Sequence, residues 1–99
     1  MKKEQILGKY LVPNDKLVSW REIDDEILFL DQKEKAFYEL NKTASFIWKE
    51  AARKRNIREI IEAMQGRYAK INKEILKKDM LDFMSNLLKK RYFLLKNEL

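Results

Sequence analysis

The twelve residues from Phe37 to Trp48, FYELNKTASFIW, change their hydrophobic period within the segment, and this limits the fold more than any other stretch. Up to Leu40 the pattern alternates, with Ala36, Tyr38 and Leu40 on one face and Phe37 and Glu39 on the other, as a strand requires. From Asn41 onward Ala44, Ile47, Trp48 and Ala51 recur at i, i+3, i+4 and i+7, the stripe of a helix. Asn41 stands where a helix cap is needed, its side-chain oxygen able to accept from the first-turn amides. A strand that runs straight into a capped helix fixes the direction of one against the other.

The flanking sequence supplies partners for both halves. Leu17 to Ile23 (LVSWREI) reads as a strand closed by Asp24-Asp25, and Glu26 to Leu30 (EILFL) as a central strand. The polar run Asp31 to Lys35 then forms the loop before Ala36 to Leu40. Three short strands joined this tightly predict an antiparallel meander, which needs a covering layer to be stable. Helices provide it. Lys42 to Lys54 is the first. Asn56 and Glu59 form a capping box for a second, with Ile57, Ile60, Ile61, Met64 and Tyr68 on its apolar side. Asn72 caps a third, in which Ile75, Leu76, Met80, Phe83, Met84 and Leu87 make one stripe and Leu81, Ser85 and Leu88 lie beside it. The expected fold is α+β and winged helix-turn-helix-like, a three-stranded meander followed by three helices. Residues 1–12, ahead of the Pro13-Asn14-Asp15 turn, are expected to form a loose arm, and residues 13–99 a single domain, with Tyr92 to Leu95 folding back on the core.

Composition removes most catalytic chemistry. With no Cys and no His, thiol nucleophiles, imidazole acid/base chemistry and zinc sites built on those ligands are excluded. The only glycines, Gly8 and Gly66, leave no phosphate-binding loop. The acids Asp24, Asp25, Glu26, Asp79 and Asp82 are read as solvated or capping residues rather than a metal or acid/base site. Nothing calls for a cofactor. No apolar run approaches the roughly 18 residues of a membrane span, and MKKEQILGKY has no apolar middle of a signal peptide, so the cytoplasm is the expected location. The 22 Lys and Arg against 16 Asp and Glu, a net charge of +6, favour acidic partners without choosing among them.

A winged-helix DNA-binding regulator is one reading of this element order. Its reader would be the second helix, through Arg58, Glu59, Glu62, Gln65 and Arg67, or the third, through Lys77, Lys78, Asp79, Asp82, Ser85, Asn86, Lys89 and Lys90. Acids stand among the bases in both, which disfavours phosphate contact, so nucleic acid is not the expected partner.

The order Trp20-x-x-Ile23-x-x-Glu26, Leu28-x-Leu30-Asp31, Phe37-Tyr38-x-Leu40-Asn41-x-Thr43-Ala44-x-x-Ile47-Trp48, Glu59-Ile60, Tyr68 and Asp79-Met80-x-x-Phe83-Met84-x-x-Leu87 resembles the PqqD-like family. These proteins are recognition elements that bind the leaders of ribosomally made, modified peptides. The resemblance runs from about Pro13 to Leu95 and is most specific from Leu40 to Trp48. Family members usually carry a glycine in the loop before the third strand and another before the final apolar pair, where this chain has Gln32 to Lys35 and Arg91-Tyr92.

The resemblance implies a non-catalytic adaptor. Its third strand, Lys35, Ala36, Phe37, Tyr38, Glu39 and Leu40, would take the precursor's leader as an added strand, and a free strand edge suits that mode. A groove beside it would be formed on the third helix by Lys78, Leu81, Met84, Ser85, Leu88 and Lys89, with Lys35, Lys78 and Lys89 steering an acidic leader. The further partner would be a modifying enzyme, a radical S-adenosylmethionine enzyme or a leader peptidase. A homodimer through the same strand would compete with the peptide.

Overall fold

The structure, a computed structural model, describes residues 3–99. After a short 3₁₀ turn at Lys3–Ile6 come β1 (Tyr10–Pro13), β2 (Val18–Ile23), β3 (Glu26–Asp31), β4 (Ala36–Glu39), α1 (Lys42–Ala52), α2 (Ile57–Arg67), α3 (Lys73–Lys89) and β5 (Phe93–Lys96). The expected meander is β2-β3-β4, antiparallel throughout, and the third strand of the sequence reading is β4. The three helices follow in the expected order.

Every predicted cap forms. Asn41 Oδ1 accepts from the Ala44 amide at 2.8 Å. Asn56 and Glu59 exchange side chain to backbone bonds at 2.8 and 2.9 Å, and Asn72 Oδ1 accepts from Glu74 and Ile75 at 2.9 and 3.1 Å. Each cap satisfies first-turn amides that a helix cannot pair internally.

The N-terminal segment departs from expectation. Tyr10–Pro13 is a strand, paired antiparallel with β5 from Tyr10↔Lys96 to Pro13↔Phe93. Ile6 and Leu11 are buried in the core. The expected loose arm is therefore corrected over this part; residues 1 and 2 lie outside the described residues. The cause is long-range: four residues at each end are too short to signal a strand alone, but pairing satisfies both backbones and places Leu11 and Phe93 against the helices. Asn14 then ties the ribbon down, its amide donating to Tyr92 O at 2.9 Å and its Nδ2 to Arg91 O at 2.8 Å.

Trp48 is the centre of the core, with no exposed surface. It stacks on Phe29 at 4.9 Å and meets Phe93 edge-on at 4.5 Å, joining meander, first helix and β5. Trp20 is partly exposed and lies edge-on to Trp48 at 5.9 Å. The Asp24-Asp25 link has φ of 51° and 68°, as the two central residues of a type I′ hairpin turn require. Within the two segments where the PqqD-like pattern would carry a glycine, Gln32 to Lys35 and Arg91-Tyr92, the residues Lys35 and Arg91 take left-handed φ of 57° and 62°. Neither is glycine, the residue that adopts this conformation at least cost.

Candidate functional site

The phase of the hydrogen-bond ladder decides what β4 offers. Leu40 N–H donates to Ile27 O, and Gln32 N–H donates to Leu17 O. Hydrogen-bonded pairs alternate along an antiparallel ladder, so in the register of the meander the odd residues of β3 face β4 and the even ones face β2. Ala36, Tyr38 and Leu40 accordingly turn their amides and carbonyls inward. Phe37 and Glu39 turn theirs out, and no other described strand pairs with that edge.

The end of β4 is held by a side chain. Ser45, fully buried on α1, accepts from Ile27 N–H at 2.8 Å and donates to Leu40 O at 3.2 Å, bridging the two groups that a regular ladder would bond directly. At the other end Asp31 shapes the loop into β4. Its Oδ1 accepts from the amides of Lys33 and Glu34, each at 3.0 Å, and its Oδ2 from Tyr92 Oη at 2.9 Å. The Glu34 amide above all, then the Tyr92 hydroxyl and the Lys33 amide, hold the Asp31 carboxyl below its ordinary value against the opposing effect of burial. Burial first, and then Asp31 and Tyr38, push the Tyr92 phenol well above its ordinary value. On the inward face Tyr38 stacks on Phe29 at 5.1 Å and lies 6.2 Å from Tyr92.

Beyond the end of β4 an open groove of about 290 Å³ runs between α1 and α3. Asn41, Thr43, Ala44 and Ile47 form one wall, and Leu76, Asp79, Met80 and Phe83 the other. Apart from Asn41, Thr43 and Asp79 these walls are apolar. No group of three acidic side chains able to hold a metal ion occurs among the described residues.

The expected site residues divide. Lys35 to Leu40 form the loop end and the open edge: Phe37 is 70% exposed and Tyr38 39%, while Leu40 packs against the core. Lys78 and Lys89 are exposed. Leu81 and Met84, however, are 4% and 0% exposed and belong to the core, and Leu88 packs against it. Ser85, half-buried, lies on the same stripe outside the groove. The groove is on the other flank of α3, through Leu76, Asp79, Met80 and Phe83. Both flanks are apolar in sequence, and the choice between them is made by packing against α2 and β5, which is invisible locally. One signal was available: Thr43, Ala44 and Ile47 follow β4 directly, so whichever α3 residues meet them must line the groove.

Fold and site define a small winged-helix-like α+β domain with an open sheet edge beside an apolar groove. Residues 26–92 match the family model of the coenzyme PQQ synthesis protein D (PqqD), and the chain belongs to that family, as a PqqD-like recognition element. No curated protein is a significant match. Among solved structures, TbiB1 in complex with the TbiA(beta) leader peptide is similar over 83% of this chain and 93% of its own, with a TM-score of 0.73 and 24% identity. The lasso peptide synthetase B1 complexed with the leader peptide is similar over 88% and 98%, with a TM-score of 0.70 and 17% identity.

Proposed function

We propose that this protein is a non-catalytic adaptor that binds the leader of a ribosomally synthesised precursor by strand addition to β4 and presents the precursor to a modifying enzyme. The observation that carries this reading is the outward direction of the Phe37 and Glu39 backbone groups beside the α1–α3 groove. Main-chain bonds to an edge strand give affinity without much sequence demand, and the groove adds selectivity through side chains. Complexes of both similar structures contain a leader peptide. The modifying enzyme is a radical S-adenosylmethionine enzyme or a leader peptidase. A micromolar complex needs about 8 kcal/mol, within reach of a short added strand and one or two buried side chains after ordering costs.

The test is a titration with candidate leader peptides encoded near the gene, in parallel with a duplex DNA pool at several salt concentrations. Saturable peptide binding, lost in Phe37→Pro while the protein stays folded, supports the adaptor. Salt-steep DNA binding without peptide binding overturns it. Self-association through the same edge would be displaced by peptide.

A further inference from the structure

Asp79 is the one acidic residue in the walls of the α1–α3 groove, it is exposed, and it has no ion pair or hydrogen bond among the described residues. It shares those walls with the apolar Leu76, Met80, Phe83, Ala44 and Ile47 and with the polar Asn41 and Thr43. A carboxylate beside an apolar surface, left without a partner by its own chain, is a ready acceptor for a guest's cation. Building on the strand-addition reading, we infer that Asp79 is a specificity-determining residue that selects a peptide carrying Lys or Arg two positions from an apolar anchor.

The spacing follows from two repeats. Asp79 and Phe83 are four residues apart on α3, a rise of about 6 Å. Side chains on one face of an extended peptide recur every second residue, at about 6.6 Å. A guest that runs along α3 and sets an apolar side chain over Phe83 brings its next same-face side chain level with Asp79. The preference is local, because a chain of net charge +6 repels a cationic guest at long range. Lys35, exposed at the far end of β4, and Lys78, exposed on α3, then favour a leader that is acidic elsewhere, with one base near its anchor.

A displayed library of random twelve-residue peptides tests this by selection on the wild type, Asp79→Asn, Asp79→Lys and Phe37→Pro. Because Asp79 is exposed and unpaired, both substitutions at that position should leave the melting temperature unchanged. The wild type is expected to enrich an apolar residue with Lys or Arg two positions away. Asp79→Asn keeps the anchor and loses the base, and Asp79→Lys replaces the base with Asp or Glu. Single enriched peptides should bind Asp79→Asn about 1.5- to fivefold more weakly, the range of one exposed ion pair. Enrichment without a basic preference, or a basic preference that survives in Asp79→Asn, overturns the inference and leaves strand addition standing. No enrichment at all, or enrichment unaffected by Phe37→Pro, overturns both.

Discussion

Tyr92 donates its phenolic hydrogen to Asp31 Oδ2 at 2.9 Å, joining groups 61 residues apart. The bond ties the first residue of β5's approach to the loop that feeds the open edge, so the carboxy-terminal ribbon and the candidate binding strand are parts of one unit. Its pH dependence has a definite sign. The Asp31 carboxyl is held below its ordinary value, chiefly by the Glu34 amide, so its contribution to stability is present above the unfolded value of about 3.9 and is lost as pH falls through the lower folded one. The Tyr92 phenol is raised, chiefly by burial, so its contribution is intact below about pH 10 and is lost as pH rises beyond that. Urea midpoints from pH 2 to 11 should show both limbs in the wild type. Tyr92→Phe should lose the alkaline component belonging to that phenol, and should melt roughly 5 °C lower at neutral pH.

Proline scanning of β4 should separate binding from folding. Phe37→Pro and Glu39→Pro remove amides that point away from β3, so the domain should stay folded while peptide affinity falls at least tenfold. Tyr38→Pro removes a ladder bond and should cost about 2 kcal/mol or more in chemical denaturation. Equal loss of stability in all three would mean that the ladder phase is wrong.

Ser45→Ala should be more damaging than its size suggests. It removes one oxygen, but leaves the buried Ile27 amide and the Leu40 carbonyl without their bridge. A cost of about 2 kcal/mol is expected, with faster hydrogen exchange at Ile27 and Leu40 than elsewhere in the meander.

Substitutions on α3 should sort by flank. Leu81→Asp puts a carboxylate at a core position and should unfold the domain, as should Trp48→Ala, at about 4 kcal/mol. Phe83→Ala is half-buried at the groove and should weaken peptide binding more than it lowers the melting temperature.

Changing Asp24-Asp25 to Asn-Gly should raise stability by about 1 kcal/mol, since both positions have positive φ and that pair fits a type I′ turn best. Peptide affinity should not change, because this turn joins β2 to β3.

The sequence was most informative where local chemistry decides the structure. Asn41, Asn56 and Asn72 cap their helices, and the alternation through Phe37 to Leu40 gives the strand its two faces. β1 and β5 were missed as a pair because their stability comes from each other and from Leu11 and Phe93, distant in the chain. Leu81 and Met84, expected at the groove, are instead in the core for the same kind of reason. Leu81 and Phe83 are both apolar, and only tertiary packing buries one and leaves the other at the groove.

The alternation of β3, odd residues toward β4 and even ones toward β2, sets a rule for any guest. Phe37 and Glu39 present their backbone groups two residues apart, so a bound strand can shift along the edge by two residues and find the same bonds. A shift of one turns its groove-facing side chains to the opposite side of the sheet. Insertions into a leader should therefore follow parity: an even insertion between an anchor and the segment it positions is absorbed by slippage, whereas an odd one is not. The edge acts as a ruler graduated in pairs of residues.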